Sequence, residues 1–153
     1  MPRIHALEAV EAIKIVKARY FRGVDTADAQ LVRGILAEDC VLDYRGCCTD
    51  PVTGTDFMPT MNTVLRGRAS WSEGGLRAAG IVSVHQGHQC EIEVTSATTA
   101  TGIWAMTDRL YMPAGAPFAL MTGYGYYVET YELEDGWKIK SLRIERIRVE
   151  VSS

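Results

Sequence analysis

The chain has no run of about 18 consecutive apolar residues, the length a helix needs to cross a bilayer, so no membrane-spanning helix is expected. Its first residues, Met1-Pro2-Arg3-Ile4-His5-Ala6, lack the apolar stretch of a signal peptide, and a cytoplasmic location is expected. A large excess of charge is also missing. The net charge of -3 argues against a general binder of nucleic-acid backbones. The basic residues near the C-terminus (Lys138, Lys140, Arg143, Arg146, Arg148) alternate with apolar ones, as on a solvated strand face. The four cysteines, Cys40, Cys47, Cys48 and Cys90, read as free thiols in that compartment. Adjacent Cys47 and Cys48 fit neither a C-x-x-C redox motif nor a structural zinc site. His85 and His88 have a spacing that binds metal on a helix, but Gly87 and the flanking strand formers argue against a helix, so no metal is expected. No G-x-S-x-G is present to mark a serine hydrolase. Internal repeats, low-complexity tracts and long linkers are absent too, and 153 residues fit one domain over 1–153.

What is there divides into a helical first third and a strand-rich remainder. From Ile4 to Tyr20, apolar or small residues recur at Ala6, Ala9, Val10, Ile13, Val16 and Tyr20, one helical stripe with Lys14, Lys17 and Arg19 largely off it. Gly23 and the Asp25–Asp28 segment predict a stop and a new N-cap, with a second helix over 29–36. Val41–Tyr44 reads as a short strand, 46–54 as a loop, 56–65 as a third helix with Pro59 in its first turn, and glycine-rich 66–80 as a mobile loop. Strands follow at 81–85, 90–95, 100–112, 118–133 and 137–151, with a hairpin turn at Glu134-Asp135-Gly136. Helices first and antiparallel strands afterwards indicate an α+β fold.

One residue breaks this pattern. With the two-residue period of a strand, Trp104, Met106, Asp108, Leu110 and Met112 share a face that is apolar except for one carboxylate. A buried carboxylate is costly unless a partner hydrogen-bonds it or shares its proton. His85 in a catalytic cavity is one such partner; a salt bridge to Arg143 or Arg146 is the plain alternative. Cys90, Ile92 and Val94 share one side of their strand, and carrying that parity back selects His88 unless a bulge near Gly87 restores His85.

The segments Ala18–Asp25, Val84–Glu93, Gly102–Asp108 and Tyr124–Tyr131, followed by Gly136-Trp137-Lys138-Ile139, resemble in order and spacing the SnoaL-like branch of the nuclear transport factor 2-like superfamily. The resemblance spans nearly the whole chain. It implies a cone-shaped α+β barrel in which N-terminal helices pack inside a curved antiparallel sheet whose open end leads to an apolar pocket. Within that superfamily the pattern is similar to scytalone dehydratase and the bile-acid 7α-dehydratases. Tyr20 and Asp25 match the tyrosine and aspartate those enzymes carry on and just after the first helix; His85 and Asp108 match their histidine–aspartate pair. Tyr44 lies where scytalone dehydratase-like enzymes carry a further tyrosine.

These residues suit general acid–base chemistry. Imidazole exchanges protons near neutral pH, and an adjacent Asp108 would fix its tautomer and stabilise the imidazolium. Tyr20 would hydrogen-bond a carbonyl or enolate oxygen, and Asp25 would hold a substrate hydroxyl or water. Each has a structural reading as well: a core tyrosine for Tyr20, a helix cap for Asp25. The expectation is a cofactor-free dehydratase or isomerase for a small hydrophobic cyclic molecule, steroid- or polyketide-like, bound among Tyr44, Phe57, Met58, Met61, Val64, Trp104, Met106, Leu110 and Tyr126. The alternative is a non-catalytic binding or assembly module, such as the small subunits of ring-hydroxylating dioxygenases, which share the fold. An epoxide hydrolase of this fold would want an Asp–Arg–Asp set around a water, and neighbouring Asp108 and Arg109 face opposite ways. A homodimer or higher assembly is expected, because the outer face of a cone needs cover.

Overall fold

The computed structural model describes residues 2–153. Helix α1 (Arg3–Asp25) buries Ala9, Ile13, Val16, Lys17, Tyr20 and Phe21 along one stripe. Lys17 therefore lies on the buried face: it follows Ile13 by four residues and precedes Phe21 by four, the spacing of one helical face. Asp28 caps helix α2 (Ala29–Gly34) by accepting from the Leu31 N–H at 2.9 Å. That helix stops short of the expected 29–36 span because Ile35 gives its carbonyl to the Ile139 N–H and the chain enters the sheet.

Strand β1 (Leu36–Asp43) follows, then β2 (Val64–Arg66), β3 (Val82–Val94), β4 (Thr99–Tyr111), β5 (Leu120–Glu134) and β6 (Gly136–Ser152). The sheet order is β2-β1-β6-β5-β4-β3. Neighbours are antiparallel except β1 and β6, which run parallel with Leu42 opposite Leu142. The sheet is thus mixed, and it is curved and open rather than a closed barrel. Register shifts at Gly87/Cys90 and Tyr124/Gly125 supply bends.

The third helix expected over 56–65 is not formed. Asp56 accepts from the Met58 N–H and the Asn62 amide, Pro59–Met61 makes one 3₁₀ turn, and Val64–Arg66 pairs with β1 instead. Short β-forming residues gained more from the sheet edge than from an isolated helix. The glycine-rich 67–80 segment makes two 3₁₀ turns and is tied down: the Arg33 guanidinium donates to the Trp71 carbonyl and pairs with Glu73, and Arg77 donates to the Asp25 carbonyl.

Two apolar clusters form the core. One gathers Ile13, Val16, Tyr20, Phe21, Trp104 and Tyr127; the other gathers Cys47, Cys48, Ile81, Leu110, Met121 and Val149. Members of both line a cavity of about 250 Å³ that reaches the surface beside exposed Thr63 and Ser72. No helix among the described residues is long and apolar enough to cross a membrane.

Candidate active site

Strand β3 and the end of α1 meet at the cavity wall. Asp25 Oδ1 lies 2.6 Å from His85 Nδ1, and Asp25 Oδ2 accepts from the His85 backbone N–H at 2.8 Å. Ser83, two residues before His85 on the same face, donates its hydroxyl to Asp25 Oδ1 at 2.9 Å. With the carboxylate as acceptor, Nδ1 carries the proton and Nε2 is left as the basic nitrogen. Phe21 stacks on the imidazole with centroids 5.8 Å apart and planes 17° from parallel. The stack depends on Gly87, where a Cβ would run into the Phe21 ring. The shift at Gly87/Cys90 changes strand parity, so Ser83 and His85 face inward although Cys90 does too. His88 is exposed, with its Nε2 2.9 Å from Thr107 Oγ1.

Asp108 stands directly opposite His85 in the β3–β4 register. Its Oδ2 is 4.0 Å from His85 Nε2, too far for a hydrogen bond. Its firm partner is Arg146, whose Nη1 and Nη2 donate to Oδ1 and Oδ2 at 2.7 and 2.9 Å. Arg146 also donates through Nε to the Cys47 carbonyl at 2.6 Å. Asp25, not Asp108, is therefore the acid bonded to the histidine, and the salt-bridge alternative holds for Asp108. Asp25 orients the imidazole, and Asp108 is a buried carboxylate neutralised by an arginine. Gly123, opposite Asp108 on β5, makes room for the pair, since a Cβ there would overlap both the carboxylate and the guanidinium.

Tyr20 and Tyr44 face each other with hydroxyl oxygens 2.7 Å apart. Burial pushes both phenols well above their ordinary range, so they stay protonated and one proton of the pair is free to point elsewhere. Tyr20, Tyr44, His85, Asp108, Arg146 and Met61 all line the cavity. Asp25 is not among the lining residues and acts on the cavity only through His85.

Six residues expected in the pocket lie elsewhere. Met58 packs against the second apolar cluster, and Val64 sits on β2 opposite Asp43. Phe57 packs edge-on against Phe118 in the second apolar cluster. Met106 is buried beneath the ion pair, its Sδ 3.4 Å from Arg146 Nη1. Tyr126 is on the outer face, because the buried residues of β5 are Met121, Gly123, Gly125, Tyr127, Glu129 and Tyr131. Trp104 faces inward but belongs to a separate buried network, where its indole donates to the Tyr131 hydroxyl at 2.9 Å. Tyr131 in turn donates to Glu129 at 2.5 Å, and Glu129 is ion-paired with fully buried Lys17. The Lys17 ammonium sits 3.4 Å from the centroid of Tyr127 and 4.4 Å from that of Tyr20. Two rings that line the cavity thus rest on a buried cation.

Trp71, Ser83, Tyr127 and the two cysteines join the site or its support without a strong signal in sequence. The one weak signal is that of Ser83, which shares strand parity with His85. Among the described residues, no group of three or more His, Cys, Asp or Glu side chains is placed to hold a metal ion.

Residues 5–143 match the SnoaL-like domain family. The chain belongs to that family. Its fold is that of the nuclear transport factor 2-like superfamily, and solved structures superpose over almost all of it. Hexachlorocyclohexane dehydrochlorinase LinA-type3 from Novosphingobium barchaimii aligns at TM-score 0.77 and 17% identity, covering 99% of this chain and 95% of its own. A provisionally named scytalone dehydratase from Novosphingobium aromaticivorans aligns at 0.71 and 20%, covering 96% and 89%. The beta subunit of a provisionally named aromatic-ring-hydroxylating dioxygenase from the same organism aligns at 0.64 and 14%, covering 89% and 87%. At these identities the likeness is one of fold, and it includes dehydratase-like and subunit-like members of the SnoaL-like fold alike.

Proposed function

We propose that this SnoaL-like protein is a cofactor-independent lyase or isomerase that removes a proton from carbon in a small hydrophobic cyclic substrate. The observation that carries this reading is the Asp25–His85 pair, with Nδ1 bound by the carboxylate 2.6 Å away and the ring on the cavity wall. In dehydration, Nε2 takes a proton from the carbon next to a carbonyl. The C–H pair forms the new C=C bond, and the C–O bond to a hydroxyl on the next carbon breaks. The imidazolium returns its proton to the departing hydroxyl as water. In isomerisation the same proton goes back to a different carbon. The Tyr20–Tyr44 pair supplies a hydrogen bond to the carbonyl oxygen as it gains charge. Proton uptake by His85 places an imidazolium between the Asp25 carboxylate and the arginine-neutralised Asp108, an alternating row of charges on largely buried side chains.

Leu65, Trp71, Leu76, Leu110, Met121 and Ile144 make the remaining wall apolar. A volume of about 250 Å³ is at the small end for a ligand pocket. That favours one or two rings over the four fused rings of a steroid.

The test is a thermal-shift screen of cyclic β-hydroxy ketones and halogenated cyclohexanes, with product analysis on every binder. Conversion by the native protein, at least about 10²-fold slower in His85→Gln, supports the reading. Binding without conversion of any of them assigns the chain to the binding modules of this fold.

A further inference from the structure

Cys47 and Cys48 follow one another in sequence, and both line the cavity. Their sulfurs are 3.7 Å apart, and the other two cysteines lie apart from them on β1 and β3. The backbone that carries them is fixed from both sides. The Cys47 N–H donates to the Tyr44 carbonyl, the Gly46 N–H donates to Asn62 Oδ1 at 2.6 Å, and the Cys47 carbonyl accepts from Arg146. Two thiols are thus held in contact, with a void in front of them. The hydrogen bond from Cys48 and the positive charge of Arg146 hold the Cys47 thiol below its ordinary value against the effect of burial, and the hydrogen bond to the Cys47 sulfur, together with burial, pushes Cys48 up.

The arrangement discriminates between partners. A disulfide needs its sulfurs at about 2.05 Å and its Cα atoms usually at least about 4.4 Å apart, whereas neighbouring Cα atoms across a trans peptide are only about 3.8 Å apart. A single soft atom inserted between the sulfurs avoids that strain, and thiolates prefer soft acceptors.

We propose that Cys47 and Cys48 form a dithiol site on the cavity wall that captures a trivalent organoarsenical through both sulfurs. With phenylarsine oxide the balance is one As=O group and two S–H groups giving two As–S bonds and one water. No redox change occurs, and the two thiol protons leave on the oxygen. The phenyl ring enters the void bordered by Met61, Leu110 and Met121. This site stands whether or not the cavity catalyses a reaction.

The experiment is intact-mass analysis of the native protein with stoichiometric phenylarsine oxide, followed by peptide mapping of the wild type. The expected product is one adduct, equal to the reagent minus water, bridging Cys47 and Cys48. It survives excess monothiol and is reversed by 2,3-dimercaptopropanol. Cys47→Ser and Cys48→Ser each weaken capture by about 10²-fold or more, as loss of one arm of a two-point attachment does, while the Cys40→Ser/Cys90→Ser variant keeps it. No adduct on the folded wild type, an adduct mapped to Cys40 or Cys90, or removal by a monothiol overturns the proposal. Mapping on the wild type decides the matter even if a serine variant fails to fold.

Discussion

Asp25 grips His85 at two points, accepting from the ring through Oδ1 at 2.6 Å and from the backbone N–H of the same residue through Oδ2 at 2.8 Å. A side chain on the last residue of α1 thereby locks both the position of a strand and the tautomer of the ring it carries. Asp25→Asn offers an amide N–H where an acceptor is required. The expected result is a fall in kcat of about 10²–10⁴-fold on any substrate that the wild type converts, with KM little changed. Steady-state kinetics check it, and the ¹⁵N shifts of the imidazole should show loss of the Nδ1–H tautomer.

The Asp108–Arg146 pair is a buried bidentate ion pair with both side chains under 10% exposed (6% and 4%). Arg146→Met leaves Asp108 buried without its partner and should cost about 3–5 kcal/mol in urea unfolding. The Asp108→Asn/Arg146→Met double variant should recover much of that loss. Gly123→Ala should also be destabilising, because its methyl needs the space the pair occupies.

Lys17 gives a pH signature. Burial lowers its ammonium from 10.5 to about 8, and the opposing pull of Glu129 only partly offsets this. Between those values the unfolded chain binds a proton that the folded chain does not, so stability rises with pH. As pH falls from 10.5 towards 8 that advantage is lost, and below 8 the loss is complete. The buried tyrosines Tyr20, Tyr44 and Tyr127 act in the opposite sense above about pH 10, where they ionise only in the unfolded chain. Urea midpoints should therefore climb from pH 8 to 10 in the wild type. The climb should vanish in Lys17→Met/Glu129→Gln.

Tyr20→Phe removes one hydroxyl from the pair with Tyr44. A net hydrogen bond is worth about 1 kcal/mol to stability. Loss of a donor to a developing oxyanion costs about 10²–10³-fold in rate. The expected outcome is a small change in unfolding midpoint beside a much larger fall in kcat.

Periodicity alone made α1, β4 and the carboxylate at Asp108 legible in the sequence, since a single acid on an apolar strand face needs no tertiary knowledge to be noticed. The partner of that acid was open between His85, Arg143 and Arg146, because the Tyr124/Gly125 register shift decides which arginine of β6 faces inward. The same kind of irregularity governs β3, where the shift after Gly87 turns His85 inward and leaves His88 outside. Lys17 looked like a surface residue because its countercharge, Glu129, lies 112 positions further on. Asp25 and His85 are 60 residues apart, and nothing local tells an orienting acid from a helix-ending one. Strand β5 carries tyrosines on both faces, so pattern alone does not tell outward Tyr126 from inward Tyr127. The 56–65 segment carried a helical pattern, but the edge of β1 captured its last residues.

The proposed chemistry turns on removal of a proton from carbon by His85 Nε2. The most direct measurement is deuterium wash-in: cyclic ketones that bind the protein are incubated with it in D₂O and followed by proton NMR. Catalysed exchange at the carbon beside the carbonyl is expected in the wild type, at least about 10²-fold slower in His85→Gln. Exchange that is equally fast in the variant, or none above background in the wild type with a ketone shown to occupy the cavity, contradicts it.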